Sequence, residues 1–194
     1  MIFAGRIETS GVHAKDILVW KICGFDCPRS TTAQRKITMS EITELADKLN
    51  SEGEKFYSLF AGLTDEQWMS EVYTEGETWT IRNVLSHFVT SERGLVRLFE
   101  RIRTTGEGAA EDFSIDRYNE AQQRKTRELA PQELLEQYKE VRSTSVAWVA
   151  GLKEEELEIK GRHPFLGVTA IRDMIKMLYI HNQNHYRDMK KVLK

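Results

Sequence analysis

Two histidines near the C-terminus, His181 and His185, stand four residues apart in the run Tyr179-Ile-His-Asn-Gln-Asn-His-Tyr186. On an α-helix that spacing stacks both imidazoles on one face, about 6 Å apart at Cβ. Imidazoles so placed can share one metal ion. They can equally be two unrelated residues of a helix surface. The apolar stripe of the same segment runs Ile171, Met174, Ile175, Leu178, then His181, His185, Met189 and Val192, which puts both histidines on the core-facing side. A buried imidazole needs partners, and a metal ion is an economical one.

A third histidine, His87, lies upstream on another apolar-periodic segment. Ser91 and Gly94 follow it along the same face, which leaves room beside the ring and suits a ligand facing a cavity. A packed core histidine is the other reading of His87 taken alone. Asn83 and Ser91 border His87 and are candidates for contact with a substrate. Asn182 and Tyr186 are weaker candidates, with surface or packing roles expected. Glu92, five residues after His87, falls about 140° round the helix from it, so it reads as a structural residue and not a ligand. His163 sits in Arg162-His-Pro-Phe-Leu-Gly167, a loop by its turn residues, and reads as a surface or turn residue. Cys23-x3-Cys27 with His13 fits no common zinc spacing.

Long helices must position these groups. Only three prolines occur in 194 residues, so the uninterrupted stretches between them favour helix. The first helix is expected from Ser40, its N-cap, to Ala61, with Ile42, Leu45, Leu49, Phe56 and Phe60 on its apolar face. Glu52 and Gly53 interrupt that face. Thr64 and Gln67 spell a short capped turn. Thr80 caps a second helix, whose stripe is Ile81, Val84, Leu85, Phe88, Leu95 and Phe99 and whose end lies near Arg103. Residues 114–127 read as a short exposed helix inside a long link. Pro131 opens a third helix at the position where its missing N–H costs nothing, and Gly151 ends it. Glu154-Glu-Glu156 reads as a solvated turn. Thr169 is expected to cap a fourth helix running to the C-terminus. The long link between the second and third helices allows them to lie parallel. Short echoes, Ala61-Gly-Leu63 with Ala150-Gly-Leu152 and Ile81-Arg-Asn-Val-Leu85 with Ile171-Arg-Asp-Met-Ile175, suggest two similar helical pairs.

Residues 1–38 differ from the rest. They carry both cysteines and twice as many Lys/Arg as Asp/Glu, without a sustained helical period, whereas the remainder is acidic. They are expected to be an N-terminal extension outside a core domain of residues 39–194. Composition excludes a disordered chain, and no apolar run is long enough for a membrane span. The net charge of −2 gives no electrostatic footprint for nucleic acid, which is expected not to be a partner. Few cysteines and no signal-peptide pattern suggest a reducing cytoplasm.

Trp79-Thr-Ile-Arg-Asn-Val-Leu-Ser-His87 followed by Glu92, together with His181-x3-His185, resembles the DinB-like (YfiT-like) superfamily of metal-dependent proteins over residues 40–192. Phe113-Ser-Ile-Asp-Arg-Tyr-Asn119, Pro131-Gln-Glu-Leu-Leu135 and His163-Pro-Phe-Leu-Gly167 are similar to the branch that includes the N-terminal domain of mycothiol-dependent maleylpyruvate isomerase. The resemblance implies an all-α four-helix bundle with a long crossover between helices 2 and 3. It also implies a divalent metal held by His87, His181 and His185. Three neutral imidazoles leave positions on the ion open for water or substrate. Such a site can activate water, or bind a low-molecular-weight thiol as thiolate. The expected activity is that of a thiol S-transferase or hydrolase on a small molecule. A non-catalytic binder of metal or small molecule, serving stress or resistance, is the alternative. Nickel, zinc, cobalt, manganese and iron all accept imidazole, so the sequence does not choose among them. The architecture also admits a homodimer.

Overall fold

The computed structural model describes residues 40–193. The expected extension 1–38, with His13, Cys23 and Cys27, lies outside the described residues. Helix α1 spans Glu41–Ala61, and Ser40 caps it by accepting the Thr43 N–H at 3.3 Å. A single helical turn, α2 (Asp65–Trp68), follows, with the Thr64/Gln67 capping box in place. Strands β1 (Glu71–Tyr73) and β2 (Trp79–Thr80) pair antiparallel. Helix α3 runs Ile81–Thr105 from its Thr80 cap and stops at Gly106, whose φ of 77° ends the helix in the left-handed conformation. The link then carries α4 (Ile115–Thr126), capped by Ser114. Helix α5 spans Pro131–Ala150 with proline in its first turn. A 3-10 segment (Glu154–Glu158) leads to β3 (Lys160–His163) and β4 (Gly167–Ala170), and α6 (Ile171–Val192) closes the chain.

The four long helices α1, α3, α5 and α6 form the expected bundle. Helices α5 and α6 each pack against both α1 and α3. The interior divides into two apolar clusters. Phe56, Phe60, Phe88, Trp79 and Tyr138 build one, and Leu49, Phe99, Ile102, Ile171 and Leu178 anchor the other. A buried ion pair belongs to neither: Arg142 of α5 meets Glu92 of α3 at 2.7 Å and also donates to the Leu49 carbonyl of α1. Gly53 explains how the long arginine side chain reaches so deep. A Cβ there would stand 2.6 Å from Arg142 Cγ, so the glycine that breaks the apolar pattern of α1 opens the path for Arg142.

The sequence echo has a structural counterpart. Each half runs from helix to short helical turn to hairpin to helix. The Ile81 N–H donates to the Ser70 carbonyl at 3.0 Å, and the Ile171 N–H donates to the Ile159 carbonyl at 2.9 Å, so both hairpins clasp the start of the following helix in the same way.

Four local expectations change. The β3–β4 hairpin occupies the stretch that reads as a loop, and β1–β2 forms ahead of the Thr80 cap where no strand is expected, because strands of two to four residues show no usable alternation. Thr169 lies in β4, and the residue at the cap of α6 is Ala170, which makes no side-chain cap bond. Val192 is 37% exposed, so the apolar stripe of α6 ends at Met189. The short helix of the link is not wholly exposed, since Gln123 and Thr126 are buried against α3. Among the described residues, no helix is long and apolar enough to cross a membrane.

Candidate metal centre

Helix α3 contributes His87 and helix α6 contributes His181 and His185, four residues apart on one face, as the spacing requires. Their ligand-capable nitrogens all lie within 4.8 Å of one another. His181 Nε2 is 3.0 Å from His87 Nε2 and 3.0 Å from His185 Nε2. A tetrahedral ion at roughly 2.0–2.1 Å from each nitrogen would hold such nitrogens about 3.3 Å apart. Both nitrogens around His181 are therefore within a few tenths of an ångström of that spacing, while the full set is held within 4.8 Å. Phe88 and Trp79 pack against the imidazoles, with ring centroids 5.7 Å from His185 and 5.2 Å from His87.

Hydrogen bonding fixes the tautomer of one member. Tyr73, on β1, donates its phenol proton to Asp188 Oδ2 at 2.9 Å. A phenol has one proton to give. The 2.7 Å contact between the Tyr73 oxygen and His185 Nδ1 must then run the other way, with Nδ1–H donating. His185 Nε2 is consequently left with a bare lone pair facing the other two rings. Such an outer carboxylate–hydroxyl–imidazole relay is what orients a metal-bound histidine. Lys191 holds the other carboxylate oxygen of Asp188 at 2.6 Å.

Burial pushes His181 down to about 4, and His185 well below the usual imidazole value, helped by the neighbouring His181 and His87. Both rings are neutral near pH 7, the form a metal needs. No cysteine or carboxylate joins the three histidines as a fourth ligand among the described residues. Glu92 is 3% exposed and paired with Arg142, in the structural role expected of it.

The cluster opens into a cavity of about 540 Å³. Ser91 and Gly94 line it. Ser91 donates its hydroxyl proton to the His87 carbonyl at 2.6 Å, and the Tyr118 hydroxyl of α4 occupies the space beside Gly94. Asn83 does not line the cavity. Its Oδ1 accepts from Thr80 and its Nδ2 donates to Gln123, which makes it part of the cap of α3. Tyr186 packs edge-on to Phe56, and Asn182 is buried away from the cavity walls. His163 departs from expectation. It is 3% exposed and lines the same cavity as the three histidines. The sequence reading also missed Tyr73 and Asp188. Asp188 is visible in hindsight as a carboxylate one helical turn after His185, whereas Tyr73 arrives from more than a hundred residues away.

Residues 32–189 match the model of the DinB superfamily. The match begins seven positions before Met39, inside the stretch expected to be an extension. Solved structures that share the fold include two from described proteins. One is YfiT from Bacillus subtilis, described as "a probable metal-dependent hydrolase with an unusual four-helix bundle topology". It is 16% identical with a TM-score of 0.65, covering 84% of this chain and 91% of that one. The other is the colibactin self-resistance protein ClbS in complex with a dsDNA, 17% identical with a TM-score of 0.60, covering 81% and 95% respectively. No curated protein matches the chain. ClbS corrects the expectation that nucleic acid is excluded, since a protein of this fold is described bound to DNA. A net charge near zero is a sum over the whole surface and does not report local patches. Helix α3 alone places Arg93, Arg97 and Arg101 at four-residue spacing.

Proposed function

The chain belongs to the DinB superfamily, and from that premise we propose that it is a divalent-metal-dependent enzyme acting on a small molecule, with His87, His181 and His185 as the metal ligands. The observation that carries this reading is the convergence of three Nε2 atoms, one of them fixed as a bare lone pair by the Tyr73–Asp188 relay. A buried trio of that kind is a poor arrangement for imidazoles alone and a good one for a cation. When bound, such an ion acidifies water or a thiol and so supplies a nucleophile near neutral pH.

The chain's own residues supply the remainder. Tyr73 and Asp188 hold the His185 ring in one orientation. Phe88 packs against the side of the cluster away from the cavity, while Trp79 and Tyr73 line the cavity beside it. The cavity faces the outer side and is large enough for a small organic substrate. Ser91, its proton engaged by the His87 carbonyl, presents oxygen lone pairs at the cavity wall. Hydrolysis and transfer to or from a low-molecular-weight thiol are the two reaction types that fit. The description of YfiT as a metal-dependent hydrolase agrees with the first. A cytoplasmic location and an extension role for residues 1–38 belong to the same reading.

A second reading is a non-catalytic binder that sequesters its ligand in the same cavity, and the description of ClbS as a self-resistance protein favours it. Elemental mass spectrometry after stringent dialysis tests the metal. Near-stoichiometric metal in the wild type, lost in the His181→Ala/His185→Ala variant, supports the ligand set. No metal in either protein, even after loading with nickel, zinc or manganese, overturns it. Multiple turnovers against saturation at one equivalent then separate enzyme from binder.

A further inference from the structure

Among the described residues, Arg97 is the arginine of α3 that makes no hydrogen bond and no ion pair. The next arginines along the helix are engaged. Arg93 reaches Gln137 Oε1 at 3.4 Å, Arg101 donates to the carbonyls of Glu107 at 3.1 Å and Gly108 at 2.9 Å, and Arg103 is clamped by Glu100 and Glu156 at 2.7 Å. Arg97 is exposed, yet it lines the cavity that opens from the three histidines. Side chains of a helix lean toward its N-terminus, which carries the Arg97 guanidinium back along α3 in the direction of His87. Tyr118 registers that charge from the cavity wall: burial raises its phenol, and Arg97 and Arg93 oppose the rise.

The charge of the wall is unbalanced. Two guanidiniums, Arg97 and Arg101, stand against one carboxylate, Asp116. Asp116 lies in the first turn of α4, where the positive end of the helix already offsets its charge. Two large apolar side chains of the wall are also exposed, Phe113 at 41% and Phe165 at 37%. The segments that carry them are tied together. Arg101 holds the loop before α4 through its two carbonyl bonds, and the Ala109 N–H donates to the Arg162 carbonyl of β3 at 2.8 Å. Gly108 makes the approach possible, since a Cβ there would stand 2.3 Å from the Arg162 nitrogen. Phe113 packs on Tyr118, with ring centroids 5.7 Å apart. Exposed aromatic surface at a cavity is surface that the body of a ligand can cover.

We propose that the cavity selects a small carboxylate with an apolar body, its anionic end met by Arg97 and its body covered by Phe113 and Phe165. This rests on the reading of the cavity as the substrate site, and does not require a metal to be bound. Arg97 lies ten residues after His87, about 15 Å of helical rise, which the arginine shortens by leaning back. The anionic end is therefore held away from the histidine cluster, and a different part of the ligand is presented to the three imidazoles. A guanidinium suits this role because its fork matches the two oxygens of a carboxylate. Water competes for an exposed charge, so the preference for an anion is modest, about fivefold at low salt.

The test titrates the full chain, metal-free and zinc-loaded, with 1-naphthoate and its neutral counterpart 1-naphthamide. The metal-free wild type is expected to bind 1-naphthoate about fivefold more tightly, with the gap closing as salt is raised. Arg97→Gln is expected to erase the gap by weakening 1-naphthoate alone, and Arg97→Lys to keep part of it. Arg127→Gln makes the same charge change at an exposed site outside the cavity and is expected to leave the gap intact. Phe113→Ala/Phe165→Ala is expected to weaken both probes about tenfold. No binding of 1-naphthoate by the wild type, equal binding of the two probes, or a gap that survives Arg97→Gln overturns the assignment. So does a gap lost equally in Arg127→Gln, which net charge would explain, and an effect of Arg97→Gln seen only with zinc, which would place the carboxylate on the ion. Unchanged binding by the double phenylalanine variant overturns the placement of the body. Should that variant not fold, the wild type decides: Overhauser contacts between bound 1-naphthoate and the rings of Phe113 and Phe165 support the placement, and their absence refutes it. The metal content of the dialysed protein judges the metal reading separately.

Discussion

Tyr73 and His185, far apart in the chain, meet at 2.7 Å between phenol oxygen and Nδ1, and Asp188 fixes the direction of that bond by taking the phenol proton at 2.9 Å. One hydroxyl from a three-residue strand thus decides which nitrogen of a helix-borne imidazole faces the cluster. Tyr73→Phe removes the link while keeping the ring that packs against Trp79 and His185. Metal affinity is expected to fall by about 10- to 100-fold, the usual effect of losing an outer partner of a ligand histidine. Competition against a chromophoric chelator measures it. Unchanged affinity would show that His185 is oriented by packing alone.

The Arg142–Glu92 pair makes a different kind of claim, about stability. Its side chains are only 5% and 3% exposed, so solvent screens the pair little. Arg142→Met leaves the Glu92 carboxylate buried without its cation, at a cost of about 3–5 kcal/mol. Adding Glu92→Leu removes that stranded charge and should return most of the loss. Urea denaturation of the single and double variants gives both numbers, and equal stability of the two would contradict the account.

Acid should destabilise the metal-free protein partly through His163. The folded ring titrates at about 4 and the unfolded one near the ordinary imidazole value of 6.5. Between those values the unfolded chain binds the proton and the folded chain does not, so stability rises with pH in that window. The contribution is complete above pH 6.5 and is lost progressively as pH falls towards 4, reaching about 3 kcal/mol. In His163→Gln the slope of stability against pH over this window should fall by up to one proton. An unchanged slope would mean that His163 gains water or a counter-charge on protonation.

The parts legible in the sequence were those carried by helical periodicity. Ser40, Thr80 and Pro131 marked helix starts, and His181 and His185 stood on a stripe whose period identified the inner face. The parts that were not legible depend on contacts between elements. Tyr73 reaches His185 only because the β1–β2 hairpin folds over the start of α3, and nothing in Glu71-Val-Tyr73 announces that. His163 reads as a surface or turn residue because Pro164 and Gly167 spell a turn, and turns are usually exposed. The turn is there, but Gly161 seats its hairpin directly on Ile102 and carries the histidine inward. The same limit applies to Asn83, whose neighbourhood to His87 along the chain gave no hint that Gln123 and Thr80 would engage it.

Residues 1–38 give the remaining prediction, on which two observations pull in opposite directions. The cap of α1 is supplied by Ser40, whose hydroxyl accepts from Thr43, so a chain starting at Met39 keeps its own helix start. The superfamily match, however, begins at residue 32. If the core domain is complete from Met39, deleting residues 1–38 should change the melting temperature by no more than about 2 °C, because the cap of α1 is kept. Metal content should be equally unaffected. A drop of about 8 °C or more would instead place residues 32–38 on the domain. A second deletion, ending at residue 31, would then restore the full stability and move the boundary to where the superfamily match begins.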